Sequence, residues 1–367
     1  MQALILVGGE GTRLRPLTST RPKPVVPLVD RPFIVYMLEW LHSHGVDEAI
    51  LSCGFMADGV RSVLGDGSQL GVALRYVEEP HPLGTGGALK FAQEYLQERF
   101  FMLNGDVLTD IDLTAQLRRH EATGARATLA LIGVEDPSAY GLVRRREDTS
   151  VSEFVEKPRP DEIDTNLVNA GAYILQRDIL ADMAPAGTKV SIERDVFPRL
   201  VGHGLYGHEV GAAYWLDIGT PERYMQGTFD ILEGDVRTEI GRQLAAAGGI
   251  LRAGDVEGTV HAPALIGAGA TVAASAIIGG RTVLGPGVRV HDRAHIDSSV
   301  ILDGCEIGAG TRVSGAILSP GVTIGERCQI EGRVVIGEGV RIGAGNTLRA
   351  GMRIFPGVEL PAGAIAF

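Results

Sequence analysis

Residues 3–24 read Ala-Leu-Ile-Leu-Val-Gly-Gly-Glu-Gly-Thr-Arg-Leu-Arg-Pro-Leu-Thr-Ser-Thr-Arg-Pro-Lys-Pro. The apolar run Ala3–Val7 predicts a buried strand, and it opens directly into a glycine-rich turn. Gly8, Gly9 and Gly11 lack the Cβ atoms that would hold an anion away, so backbone N–H groups can face a polyphosphate. Arg13 and Lys23 add fixed positive charge in the same loop. The pattern is neither of the common phosphate loops. A P-loop needs Lys-Ser/Thr after its last glycine, and here Thr12-Arg13 follows Gly11. A dinucleotide fingerprint needs a third glycine where this chain has Leu14.

Working outward, Ala49–Cys53, Ala73–Val77 and Phe100–Leu103 read as further short strands, with helical patterns around Phe33–His44 and Gly87–Glu98. That alternation predicts a mostly parallel sheet flanked by helices, with ligands beyond the carboxyl ends of its strands. The loop at 8–24 and the turn Asn104-Gly105-Asp106 both fall at such ends.

The chain changes character near residue 235. Ile266, Val272, Ile278, Leu284, Val290, Ile296 and Leu302 are spaced by six, and a second series runs Ile324, Ile330, Ile336, Ile342, Leu348, Ile354, Leu360. A six-residue aliphatic repeat marks a parallel β-helix with short flat faces. The two series are out of phase by two residues, so irregular turns are expected between Asp303 and Thr323. The expected divisions are 1–234, a connector at 235–257, and 258–367.

At 367 residues with 45% hydrophobic and 22% charged content, the chain reads as a soluble protein of two domains. A net charge of −11 disfavours nucleic acid and anionic membrane as partners, and the short N-terminal apolar run is no membrane span. Cys53, Cys305 and Cys328 have no paired spacing, which suits a reducing cytoplasm.

Four more segments complete the pattern: Glu78-Glu79-Pro80-His81-Pro82-Leu83-Gly84-Thr85-Gly86-Gly87, Phe154-Val155-Glu156-Lys157-Pro158, Asn169-Ala170-Gly171 and Tyr214-Trp215-Leu216-Asp217-Ile218-Gly219. With them the first 230 or so residues resemble the sugar-1-phosphate nucleotidyltransferases. The whole chain, hexapeptide tail included, resembles that family's mannose-1-phosphate guanylyltransferase branch. The resemblance implies a Rossmann-like α/β domain with a mixed, mostly parallel sheet, followed by a left-handed parallel β-helix. It implies catalytic roles for Arg13, Lys23 and Asp106. Nucleotide contacts would come from Val7, Gly8, Gly9, Gly11, Thr12, Arg13, Glu79, Gly84 and Thr85. Sugar-phosphate contacts would come from Gly141, Glu156, Lys157, Asn169 and Gly171. Asp106 and Asp217 would hold Mg²⁺, a cation that takes hard oxygen ligands, usually one or two carboxylates with phosphate oxygens. Small-molecule substrates (an NTP and a sugar 1-phosphate) and a homo-oligomer are expected. The chemistry needs no activated nucleophile, because the sugar phosphate is already an anion, and His81 receives no role.

Glu79 stands where relatives that read uracil or thymine often carry glutamine. A carboxylate accepts from both adjacent donors of guanine, N1–H and N2–H₂, which favours GTP. Glucose 1-phosphate or a heptose 1-phosphate satisfies the same arguments as mannose 1-phosphate, and a thymidylyl- or uridylyltransferase is the alternative. Two rivals of another kind are acyl transfer on the β-helix, using His261, His291 or His295, and a catalytically silent regulatory relative. The second expects losses at charged site positions, all of which are filled here.

Overall fold

In the computed structural model, which describes residues 1–54 and 56–366, the chain divides into two compact units. Phe367, the last residue of the expected β-helix, lies outside the described residues. Unit 1 comprises Met1–Glu10 and Ile34–Trp215. Its sheet is built from β1 (Gln2–Leu6), β2 (Glu48–Cys53), β3 (Ala73–Glu78), β4 (Arg99–Asn104), β5 (Ala127–Gly133), β6 (Gly141–Arg145), β7 (Val151–Glu156), β8 (Leu167–Gln176) and β9 (Leu205–Glu209). The order is β7-β6-β8-β4-β1-β2-β3, with β5 pairing β8 and β9 off this path. β1 runs parallel to β2 and β4, and β2 to β3. β8 is antiparallel to β4, β5 and β6, so the sheet is mixed. The first strands are continuous apolar runs because they are buried: Ala3, Leu4 and Ile5 are fully inaccessible.

Register sets the site. Leu6 lies opposite both Ser52 and Asn104, and Cys53 opposite Glu78, so β1 to β4 end together at their carboxyl ends. The expected helix at Gly87–Glu98 instead occupies Gly84–Phe91, followed by a 3₁₀ turn at Gln93–Tyr95. It starts early because the amides of Gly86 and Gly87 both donate to the carbonyl of Val190, at 2.9 and 3.1 Å. That anchors the glycine run as the first helical turn.

Unit 2 joins Gly11–Phe33 to the chain from Leu216 onward, so packing does not follow the expected division at 234/235. Tyr224, fully buried on the helix Pro221–Glu233, donates its hydroxyl to the carbonyl of Pro27 at 2.6 Å. The stretch expected as a connector holds a helix, Glu239–Ala246, and then strands Ile250–Arg252 and Asp255–Val256. These strands pair in parallel with Ala264–Ile266 and Thr271–Val272, so the β-helix begins within residues 235–257.

From there three parallel sheets stack coil upon coil, consistent with the left-handed β-helix expected. Val272, Ile278, Leu284, Val290 and Ile296 fill its core, as do Ile324, Ile330, Ile336, Ile342 and Leu348. The phase change between the series has a definite origin. Thr282 pairs with Ala264, eighteen residues earlier, but Val300 pairs with Val283 and Ile317 with Val300, each seventeen apart. One residue is dropped between Ile296 and Ile301, at the corner containing Ser298 and Ser299. Another is dropped between Val313 and Leu318, at Gly315 and Ala316. Ile301, not Leu302, therefore takes the core position, and the first shortened corner lies before Asp303 rather than after it.

Candidate active site

In unit 1 the strand ends bring Val7, Gly8, Glu79 and the Gly105-Asp106 turn together. The Val7 amide donates to the Ser52 carbonyl at 2.9 Å, the Gly105 amide to the Leu6 carbonyl at 3.0 Å, and the Glu79 amide to the Cys53 carbonyl at 2.8 Å. Gly105 presses so close to β1 that a Cβ there would stand 2.6 Å from the Leu6 carbonyl oxygen. That contact seats the half-buried Asp106 next to the start of the first loop. No described atom lies within 4 Å of where a Cβ on Gly9 would be, so the turn has one open face.

Glu79 is held rather than loose. Its Oε1 accepts from the Ser52 hydroxyl at 2.9 Å and its Oε2 from the Leu83 amide at 3.1 Å. A Cβ on Gly8 would sit 3.2 Å from the same Oε1, so the glycine leaves the carboxylate uncovered. An ionised carboxylate has about four lone-pair positions, so two remain for a ligand. Cys53, at the same edge, is buried, and that burial pushes its thiol up to about 12.

Gly84 and Thr85 are placed differently from Gly8. Gly84 has φ +73°, and a Cβ on it would meet the Val190 carbonyl oxygen at 2.6 Å. The Thr85 hydroxyl donates to Glu193 at 2.7 Å and accepts from the Ile192 amide at 2.9 Å. Both residues are thus engaged with the segment 190–193. Gly84→Ala is expected to destabilise the fold by about 2–4 kcal/mol, through left-handed strain plus the clash, whereas Gly9→Ala is expected to stay within about 0.5 kcal/mol. Urea unfolding midpoints check both.

The expected sugar-side residues lie on β6 to β8 and their ends. A Cβ on Gly141 would come 3.0 Å from Glu156 Oε2, so the carboxylate lies across the glycine. Lys157, exposed with φ +55°, donates its amide to the Tyr140 carbonyl at 3.1 Å. Tyr140 packs edge-on against Trp215, with centroids 5.2 Å apart. The pairing of β8 with β5 slips between Asn169 and Tyr173, a bulge of the kind that re-aims side chains next to active sites. The bulge is pinned from within. Asn169 donates to the Tyr173 hydroxyl at 2.8 Å and accepts from the Gly171 amide at 3.0 Å. Gly171 lies against Asn104, with its would-be Cβ 2.7 Å from Nδ2.

Two residues outside the expected set belong to this arrangement. Asn104, whose side chain lies against Gly171, sets the end of β4 beside the bulge. Glu193 accepts from Thr85 and from the Ser191 hydroxyl, each at 2.7 Å. Burial first, and the Glu193 charge second, raise the Glu156 carboxyl above its ordinary value, against the pull of Lys157 and Arg194. Asn104 was visible as a polar residue at a strand end. Glu193 lies in the segment Ser191–Pro198, which resembles the guanylyltransferase branch, but its role stayed hidden because its partner Thr85 is over a hundred residues away in sequence.

Unit 2 carries the remaining site residues. Gly11, at φ +62°, begins the loop; its carbonyl accepts from the Leu14 amide at 3.0 Å and from the Thr18 hydroxyl at 2.7 Å. Thr12–Leu14 form a 3₁₀ turn that presents Arg13 on the surface. A Cβ built on Gly219 would stand 3.2 Å from Arg13 Nη2 and 3.1 Å from Asp217 Oδ2. The guanidinium and the carboxylate thus converge on one glycine. Arg223, in the first turn of the helix Pro221–Glu233, pairs with Asp217 Oδ1 at 3.1 Å and is a third member that the sequence reading did not include. Lys23 opens a second 3₁₀ turn, Lys23–Val25, and a Cβ on Gly11 would lie 3.1 Å from its own Cβ.

A separate group of carboxylates, Asp230, Glu233 and Asp235, has ordinary partners at a helix end. Glu233 pairs with Arg281 at 2.7 Å and Asp230 accepts from Gln226 at 2.6 Å. Among the described residues no helix is long and apolar enough to cross a membrane.

Comparison with known proteins adds to this geometry. The family model described as "Nucleotidyl transferase" matches residues 2–234, and one described as "GMPPB C-terminal domain" matches 260–362. A mannose-1-phosphate guanylyltransferase of Mycobacterium tuberculosis is 38% identical over 84% of this chain and 82% of its own. A UTP–glucose-1-phosphate uridylyltransferase of Synechocystis is 31% identical over 85% of this chain and 86% of its own. The crystal structure of HddC from Yersinia pseudotuberculosis complexed with GMP-PN covers 62% of this chain and 97% of that one, with 31% identity and a TM-score of 0.53.

Proposed function

The chain belongs to the nucleotidyl transferase family, and we propose that it transfers the nucleoside monophosphate of GTP to mannose 1-phosphate, releasing pyrophosphate. The convergence of Arg13 and Asp217 on Gly219 carries the reading, because it sets a fixed cation beside a hard oxygen donor at a glycine-rich loop. A phosphate oxygen of the sugar phosphate attacks the α-phosphorus of the NTP in line. The bond from that phosphorus to the bridging oxygen breaks, and pyrophosphate leaves with the electron pair. Two anions must be brought together, so the work is positioning and charge cancellation rather than nucleophile activation.

In this reading Arg13 and Lys23 stabilise charge on the transferring phosphoryl group, and backbone amides of the first loop hold the phosphates. Glu79, already oriented by Ser52 and Leu83, accepts from N1–H and N2–H₂ of guanine. Glu156 accepts from the sugar hydroxyls, Asn169 and Gly171 line the sugar pocket, and Lys157 takes the sugar phosphate. Asp106 and Asp217 are the carboxylates assigned to Mg²⁺. Their hard oxygens fit that ion, which when bound would offset the negative charge of the phosphates. The three unpaired cysteines, all buried, suit a reducing cytoplasm. The same reading includes a homo-oligomer.

The names of the guanylyltransferase relative and of the HddC complex support guanine; that of the Synechocystis relative keeps UTP with glucose 1-phosphate as the second reading. GTP, UTP, dTTP and ATP are each paired with mannose, glucose and heptose 1-phosphates, and pyrophosphate release is followed. The highest kcat/KM is expected for GTP with mannose 1-phosphate. A preference for a pyrimidine nucleotide overturns the guanine assignment, and no release with any pair overturns the activity.

A further inference from the structure

The loop that carries Arg13 is gripped by the β-helix of its own unit. Arg353 stands on the strand Arg353–Ile354, opposite Val335. One of its nitrogens, Nη1, donates to the carbonyls of both Arg13 and Arg15, each at 3.1 Å. One coil earlier, in the turn that follows Val335–Ile336, Glu338 accepts from the Thr20 hydroxyl at 2.6 Å and pairs with Arg21 at 3.1 Å. Side chains on successive coils thus hold the outgoing and the returning limb of the same loop. We infer that Arg353 and Glu338 are positioning residues for nucleotidyl transfer, so that the β-helix sets the aim of Arg13 as well as serving any role in assembly. The inference rests on the function proposed above.

The physical reason is preorganisation. Residues 12–15 have one short 3₁₀ turn and few buried side chains to fix them, and Arg13 itself is exposed. Ordering such a stretch costs about 1–2 kcal/mol per residue in backbone entropy. When the clamp orders the loop during folding, that cost is not met again as the nucleotide binds, and the guanidinium already stands beside Asp217. The carbonyls that Arg353 holds belong to Arg13 and to its second neighbour, so their orientation fixes the direction of the Arg13 side chain. Lysine at 353 retains donors that reach a carbonyl but loses the guanidinium's fixed geometry.

The test uses the full-length chain with Arg353→Ala, Arg353→Lys, Glu338→Gln and Arg13→Ala. Initial rates are measured with Mg²⁺-GTP and mannose 1-phosphate varied separately, with thermal unfolding and amide hydrogen exchange over residues 12–23 alongside. Loss of the two charge-assisted bonds in Arg353→Ala is expected to lower kcat/KM for GTP about tenfold. The KM for mannose 1-phosphate is expected to stay within about twofold, exchange in the loop to quicken, and Arg353→Lys to recover part of the loss. Glu338→Gln, which keeps the shape and an acceptor, is expected to show a smaller effect of the same kind and gives the answer should Arg353→Ala fold poorly. Unchanged kinetics in the Arg353 and Glu338 variants, with Arg13→Ala inactive, overturn the clamp and leave the proposed activity standing. A loss that falls equally on both substrates and tracks thermal stability overturns it as well. Full activity in Arg13→Ala overturns the role given to Arg13 and the clamp with it.

Discussion

Arg13→Ala is expected to lower kcat by about a thousandfold while the fold stays intact, on the scale of losing an arginine that stabilises a phosphoryl-transfer transition state. The side chain is exposed, so removing it leaves no cavity and uncovers no buried partner. Its backbone stays in place, because the Gly11 carbonyl still accepts from Leu14 and Arg353 still binds the carbonyls of residues 13 and 15. Thermal unfolding should therefore match that of the unaltered chain, since substitutions at such positions stay within about 0.5 kcal/mol. The loss comes from charge: negative charge grows on the oxygens around the α-phosphorus as pyrophosphate departs, and a fixed cation there needs no reorganisation. Arg13→Lys should recover only part, because an ammonium contacts phosphate as a point and lacks the planar fork. Single-turnover kinetics with saturating substrates separate this from a binding defect. Activity within tenfold of the unaltered chain would remove Arg13 from the chemistry.

This residue was legible in the sequence because the chain around it obeys local rules. An apolar run followed by Gly8-Gly9 and a basic loop reads as a candidate strand-end phosphate site whatever follows. The hexapeptide tail was legible for the same reason, its period being short and repeated. What sequence did not disclose is tertiary. Nothing local in Gly11–Phe33 announces that it packs with the chain beyond Leu216, since the ties are a hydroxyl on Tyr224 reaching Pro27 and a guanidinium on Arg353 reaching Arg13. The shortened corner before Ile301 was hidden by composition: Ile301 and Leu302 are both aliphatic, and either satisfies the pattern until strand pairing selects one. Gly84 and Thr85 illustrate both. Their glycine-rich context reads as a ligand loop, and their contacts with the carbonyl of Val190 and the carboxylate of Glu193 are tertiary features that sequence does not disclose.

Asp106→Asn and Asp217→Asn, on the metal assignment proposed here, are each expected to cut turnover by about 10²–10³ and to raise the Mg²⁺ concentration needed for half-maximal rate. Asparagine keeps the shape and one oxygen donor but removes the charge, so the loss reads electrostatics rather than packing. The two sites differ in a way the experiment exploits. Asp217 also pairs with Arg223, so its neutralisation releases a cation close to Arg13 as well as weakening cation binding. Asp106 sits at the tight junction of Gly105 with β1, so its backbone is fixed whatever the side chain. Raising Mg²⁺ should therefore restore more of the rate in Asp106→Asn than in Asp217→Asn, where Arg223 no longer has its partner. Adding EDTA to the unaltered chain should abolish turnover while far-ultraviolet circular dichroism stays constant, because the strand end beside Asp106 is held by backbone hydrogen bonds to β1. Near-normal turnover and an unchanged Mg²⁺ requirement in both variants would contradict the assignment. The order of rescue, measured at constant ionic strength, separates a carboxylate that only binds the ion from one that also sets the charge around Arg13.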